Sequence, residues 1–147
     1  MEKLYLAYGS NLNVVQMGWR CPDAELYGTS VIPDYELLYK GSKTGAYLTI
    51  EPMKGGQVPV AVWKISAADE RRLDAYEGYP KFYYKKNIKV KVGTETVDAF
   101  AYIMHEERKL AKPSKHYIIC CQHGYEAFGF DKKYLDAAYE RSVSNEG

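Results

Sequence analysis

The chain has 147 residues, the size of one domain, and residues 1–147 are expected to fold as a single unit. Its 46% hydrophobic and 27% charged residues are the mix of a soluble globular protein and argue against a disordered chain. With 20 basic and 19 acidic residues the formal charge is +1, so no nucleic-acid or anionic-membrane partner is expected, and no apolar run approaches the roughly 20 residues of a membrane helix.

The amino terminus, Met1-Glu2-Lys3-Leu4-Tyr5, runs straight into strand-like sequence with no signal-peptide pattern. Leu4 to Tyr8 is short, apolar and aromatic, and Gly9-Ser10-Asn11 ends it, which reads as a buried strand and a tight loop. Asn11 to Trp19 suits either a short helix or a loop. Strands are expected over Val31–Tyr39, Ala46–Glu51 and Val58–Ile65, then over the pair Asn87–Val92 and Thr96–Met104. In that pair Ile88, Val90 and Val92 alternate with Lys89 and Lys91. Val97, Ala99, Ala101 and Ile103 alternate with Asp98, Phe100 and Tyr102. Gly93-Thr94-Glu95 supplies the turn of a hairpin whose lysine side faces solvent.

Three helices are expected. Ser66-Ala67-Ala68-Asp69 has capping-box spacing, and Gly78 with Pro80 stops that helix. A second helix starts at Pro113-Ser114, with Tyr117, Ile118 and Cys121 at helical spacing. A third covers about Lys132 to Arg141. Such an order predicts an α+β domain with a mixed, curled or barrel-like sheet and flanking helices.

Glu77 stands out on physical grounds. It lies in the last turn of the first expected helix, where the helix dipole disfavours a carboxylate. It also falls within about 40° of Leu73, which with Tyr76 should mark the buried side. Both effects push a carboxyl pKa upward, toward what a general base needs at neutral pH. A solvated Glu at a frayed helix end is the other reading. Gly9-Ser10-Asn11 offers successive backbone N–H groups to a carboxylate or oxyanion, or is an ordinary turn. Tyr117 sits one turn into its helix, pointing to a cavity or to the core. Tyr occurs 15 times, which suits a wet pocket or reflects a compositional habit of the source.

Together, Tyr8-Gly9-Ser10-Asn11-Leu12, Leu73-Asp74-Ala75-Tyr76-Glu77-Gly78 and Pro113-Ser114-Lys115-His116-Tyr117, in that order, resemble the gamma-glutamylcyclotransferases. The resemblance spans about residues 4 to 127. It implies a mixed β-barrel with flanking helices, no metal and no cofactor. It implies Glu77 as catalytic acid/base. Substrate would be held by Leu6, Ala7, Tyr8, Gly9, Ser10, Asn11 and Tyr117. The substrate would be a small gamma-glutamyl amide, cyclised to 5-oxoproline, as in glutathione metabolism. The stretch Tyr79-Pro80-Lys81-Phe82-Tyr83-Tyr84 departs from the animal enzymes by its aromatics and its proline. Rival readings are a gamma-glutamylamine or biosynthetic deprotecting cyclotransferase, and a non-catalytic module on the same scaffold. The leaving group would be read by variable loops, Val14 to Tyr27 or Lys40 to Ala46. A homodimer fits the resemblance, and nothing in the composition demands one.

Other constellations read as structural. Cys21, Cys120 and Cys121 are expected to be free thiols in a reducing, cytoplasmic setting. His105, His116 and His123 lack metal-ligand spacing. Lys81, Lys85, Lys86, Lys89 and Lys91, with Tyr83 and Tyr84 among them, read as a solvated hairpin edge.

Overall fold

The computed structural model describes residues 2–42 and 45–143. Six strands form one sheet in the order β4-β5-β1-β3-β2-β6. They are β1 (Lys3–Ala7), β2 (Glu25–Ser42), β3 (Gly45–Ile65), β4 (Tyr83–Val92), β5 (Glu95–Met104) and β6 (Lys109–Leu110). β1 runs parallel to β5, while the other pairings are antiparallel, so the sheet is mixed. Four helices accompany it: α1 (Val14–Arg20), α2 (Ala67–Glu77), α3 (Lys115–Phe128) and α4 (Lys133–Val143). The sheet curls far enough for β2 to reach β4. Ser30 Oγ donates to the Lys91 carbonyl, and a Cβ on Gly28 would stand 2.5 Å from Val92 Cγ1. This is the expected α+β half-barrel.

The three expected helices are present with the expected caps. Ser66 and Asp69 form a reciprocal capping box on α2, and Gly78, at φ 66°, closes its far end. Ser114 Oγ accepts from the Tyr117 N–H at the start of α3. Asn11–Trp19 resolves into both alternatives: a 3₁₀ turn over Ser10–Leu12, then α1, capped by the Asn13 side chain. The two strands expected at Ala46–Glu51 and Val58–Ile65 are one long strand, β3. Its pairing with β2 slips between Pro33 and Tyr35, where Asp34, at φ 62°, accepts the Gly55 N–H. Local turn residues at Pro52–Gln57 thus mark an excursion within the strand and not its end. β6 carries too little pattern in two residues to be read from sequence.

The expected β4–β5 hairpin is present, with Val90 opposite Val97 and Ile88 opposite Ala99, but its turn is shorter than expected: Glu95 already pairs with Val92, leaving Gly93-Thr94 as the turn. β4 keeps Lys89 and Lys91 on the solvent side, as expected. Lys85 does not join them: it turns onto Glu70 and Asp74 of α2, at 2.6 and 2.9 Å. β5 loses its alternation from Ala99 onward, where both faces are covered and Phe100 and Tyr102 are as buried as Ala101 and Ile103. A central strand flanked on both sides gains burial that period-2 patterning does not announce.

The core joins β1, β3 and β5 to α2 and α3 through Leu6, Ile50, Ile65, Leu73, Ile103 and Tyr125. One contact positions the first loop directly. A Cβ on Gly124 of α3 would lie 2.6 Å from Leu12 Cβ and 2.9 Å from the Asn13 nitrogen. The helix therefore meets the 3₁₀ turn backbone to backbone, and only glycine permits it. All three cysteines are free and buried. Among the described residues no helix is long and apolar enough to cross a membrane.

Candidate active site

The 3₁₀ turn, the end of α2, the start of α3 and the aromatic face of β3, β4 and β5 enclose a cavity of about 350 Å³. Tyr8, Gly9, Ser10 and Asn11 line it from one side, Glu77 from another, and Tyr117 from the floor. Leu6 and Ala7 do not line it: they are buried in β1, opposite Val62 and Ala61 of β3. Their side chains are spent on the core, while the longer rings of Tyr5 and Tyr8 on either side of them reach the cavity.

Glu77 arrives here for reasons visible in α2. The helix buries Leu73 completely, and one turn later the same face opens on the cavity. Gly78 then turns the chain left-handed and ends the helix, and the chain returns to the cavity wall at Phe82 and Tyr83. Burial among aromatic side chains pushes the Glu77 carboxyl up to about 7, against the opposing pull of the Arg20 guanidinium. A carboxyl raised this far can exchange a proton near neutral pH. Apart from tyrosine hydroxyls, it is the only ionisable group among the described residues that line the cavity.

Tyr76 corrects the expectation of a buried neighbour. It is 48% exposed, because the helix end projects past the core and meets α1 instead. Its ring carries the Arg20 guanidinium at 3.7 Å, and its hydroxyl lies 3.4 Å from Ser10 Oγ.

The 3₁₀ turn uses the N–H groups of Leu12 and Asn13 as donors to Gly9 and Ser10. The amides of Ser10 and Asn11 come before those bonds, at the donor end of the turn on the cavity wall. The Asn11 side chain, by contrast, is engaged within the protein. Its Nδ2 donates to Tyr5 Oη at 2.8 Å and its Oδ1 accepts from Arg20 at 2.5 Å. Gly9 packs under Tyr117: a Cβ there would stand 3.3 Å from the Tyr117 hydroxyl and 3.6 Å from Leu48. That hydroxyl accepts the Leu48 N–H at 3.1 Å, which fixes the ring.

Several cavity residues lie outside the three motifs. Tyr5, Tyr47, Tyr83 and Tyr102 join Tyr8, Tyr76 and Tyr117, so seven of the 15 tyrosines line one space. That count favours pocket lining over compositional habit. Tyr83 donates to the Leu48 carbonyl at 2.9 Å, Tyr8 to the Tyr102 carbonyl at 2.6 Å, and Tyr102 to Asp74 at 2.6 Å. Each hydroxyl is anchored while its ring faces the cavity. Burial raises the pKa of every one of Tyr5, Tyr8, Tyr83, Tyr102 and Tyr117, so they stay neutral donors or acceptors. Phe82 and Tyr83 bring the departing stretch after Glu77 into the wall. Of the two loops expected to read the leaving group, residues 43 and 44 lie outside the described residues. Among the described residues no three His, Cys, Asp or Glu side chains are grouped to hold a metal ion.

Comparison with known proteins gives a consistent result. Residues 5–119 match the family model described as gamma-glutamyl cyclotransferase, AIG2-like. Human gamma-glutamylcyclotransferase is 33% identical over 129 residues, 80% of this chain and 68% of that protein. The bovine protein of the same name is 34% identical over 99 residues, 63% of this chain and 52% of its own. A solved structure titled gamma-glutamyl cyclotransferase superposes with a TM-score of 0.84 at 26% identity, covering 94% of this chain and 86% of that one. The resemblance carried by the three motifs is thus confirmed over most of the chain, and the protein belongs to the gamma-glutamyl cyclotransferase, AIG2-like, family of enzymes.

Proposed function

We propose that this protein converts a gamma-glutamyl amide into 5-oxoproline and a free amine or amino acid, with Glu77 as general acid/base. The observation that carries the reading is that Glu77 and the Gly9–Asn11 turn line the same cavity. A carboxyl at about 7 in an aromatic enclosure suits that role, because it accepts a proton and returns it without a large free-energy step either way.

The substrate's own α-amine is the nucleophile. Glu77 takes a proton from the α-ammonium, the freed nitrogen attacks the side-chain carbonyl carbon, and a five-membered ring closes. The tetrahedral oxyanion falls to the Ser10 and Asn11 backbone amides at the donor end of the turn. Protonated Glu77 hands its proton to the leaving nitrogen, its carboxylate then takes the second proton from the positively charged ring nitrogen, the C–N bond breaks as the carbonyl re-forms, and that last proton departs with the free amine. No protein nucleophile is needed. The aromatic walls hold the glutamyl chain folded back on itself, which removes the entropic barrier to ring closure.

The lining favours particular leaving groups. Among the described residues that face the cavity none is Lys, Arg or His, so a second carboxylate on the leaving group meets no cation there. This supports gamma-glutamyl amines as a second substrate class beside gamma-glutamyl amino acids. Release of 5-oxoproline from a panel of gamma-glutamyl amino acids, gamma-glutamyl amines and glutathione tests both. Turnover of amines above amino acids places the protein in the second class. No release from any member, with binding retained, makes it a non-catalytic module.

A further inference from the structure

Arg20 is the last residue of α1 and does not line the cavity, yet it touches both walls that do. Its Nη1 donates to Asn11 Oδ1 at 2.5 Å, its Nη2 donates to Gln16 Oε1 at 2.7 Å, and its flat face lies 3.7 Å from the Tyr76 ring centre. Its own carbonyl accepts from Arg72 Nε at 3.0 Å, which fixes the end of α1 against α2. We infer that Arg20 is a positioning residue for the reaction: its guanidinium ties the Asn11 amide of the turn to the Tyr76 ring of α2, and so holds the Tyr5 hydroxyl and the Glu77 carboxyl toward one bound molecule. The inference rests on the functional reading above.

Three steps connect these residues. With Oδ1 claimed by Arg20, the Asn11 amide has one orientation, and its Nδ2 points at Tyr5 Oη, 2.8 Å away. The Tyr5 oxygen is an acceptor in that bond, so its own proton is directed elsewhere, and Tyr5 lines the cavity. A cation at the head of the chain Arg20–Asn11–Tyr5 polarises each bond and strengthens the last donor. Only a planar fork with a stacking face does all this, since lysine offers a point charge with neither feature.

Charge is the second contribution. The groups facing Glu77 are Tyr5 of β1, Tyr8 just after it, Tyr76 of its own helix, Tyr83 of β4, Tyr102 of β5 and Tyr117 of α3, and desolvation raises the pKa of each, so they stay neutral. The charge that acts on Glu77 is Arg20, and it opposes the desolvation. Without it, the base form is scarcer at pH 7.

The test compares wild type, Arg20→Lys and Arg20→Gln. It uses pH profiles of kcat and kcat/KM for 5-oxoproline release, carbon-13 NMR titration of the Glu77 carboxyl, and thermal melting. In Arg20→Gln the acidic limb of kcat/KM and the Glu77 titration should both move up by about one pH unit, a loss of about fivefold at pH 7 that shrinks as pH rises. Arg20→Lys should keep the titration near wild type but lose kcat, because the charge stays and the fork is gone. An unmoved Glu77 titration in folded Arg20→Gln overturns the inference. So does a loss in Arg20→Gln that is the same at every pH. Should Arg20→Gln not fold, Arg20→Lys decides alone, and wild-type kcat in that variant overturns the inference. If wild type releases no 5-oxoproline, the functional reading fails, while the NMR titration still shows whether Arg20 holds the Glu77 charge.

Discussion

The two ends of α2 carry desolvated acids with opposite fates. At the amino end, Asp69 is fully buried and fully occupied. It accepts from the Ser66 N–H at 3.3 Å and from Arg72 at 2.7 Å, with the Asp23 N–H at 3.4 Å. Its neighbour Glu70 feels burial that would raise its pKa, but Lys85 at 2.6 Å and Lys3 at 3.2 Å outweigh it and the carboxyl is held below its ordinary value. At the carboxyl end, Glu77 faces aromatic rings and the wrong pole of the helix, and its pKa rises to about 7. The lesson is that burial alone does not mark a working acid. What marks it is burial where the surroundings leave the charge poorly compensated.

The sharpest way to break this contrast is Glu77→Gln. The fold should persist and 5-oxoproline release should fall by about 10²–10⁴, the usual weight of a general acid/base. Undiminished turnover in folded protein removes Glu77 from the mechanism. Asp69→Ala should do the reverse. It leaves the Ser66 and Asp23 amides without their acceptor and should cost about 2–3 kcal/mol in chemical denaturation, with kcat of the folded protein unchanged.

Stability against pH separates the two ends again. The folded pKa of Glu77 lies above its ordinary value of 4.5, so the folded chain holds that proton more tightly than the unfolded chain. Its contribution is favourable below pH 4.5 and is lost as pH rises to about 7. Glu77→Gln should therefore be more stable than wild type by roughly 2 kcal/mol above pH 7, after allowance for the open cavity, with the gap closing below pH 4.5. A gap of equal size at pH 4 and pH 8 points to packing instead of charge. The smallest effect is expected for Ser66→Ala, which removes one capping acceptor and should cost about 1 kcal/mol in thermal melts without moving the pH profile.

Much of this site was legible because it is local. The capping box, Gly78 and the 3.6-residue period place Glu77 one turn past Leu73, and that arithmetic needs no partner. The same arithmetic misplaced Tyr76, since what covers a helix end depends on the neighbouring helix. Tyr47, Tyr83 and Tyr102 were not legible as lining residues, for they come from three strands whose register brings them together only in the folded sheet. Arg20 was hidden for the same reason: its stacking partner lies far along the chain. Asn11 carried a recognisable motif but an incomplete meaning, because sequence does not say whether an amide faces the ligand or the protein interior.

The glycine contact between α3 and the 3₁₀ turn has a consequence for how such a site changes over time. With Gly124 seated on Leu12 and Asn13, the turn has no compressible cushion beneath it, and almost any substitution at that seam displaces the loop as a block. That wall of the cavity is thereby fixed by packing. Under the proposed reaction, a change of leaving group is easier to accommodate where Tyr47 and Phe82 meet edge to face, since a ring there can be exchanged without displacing the turn.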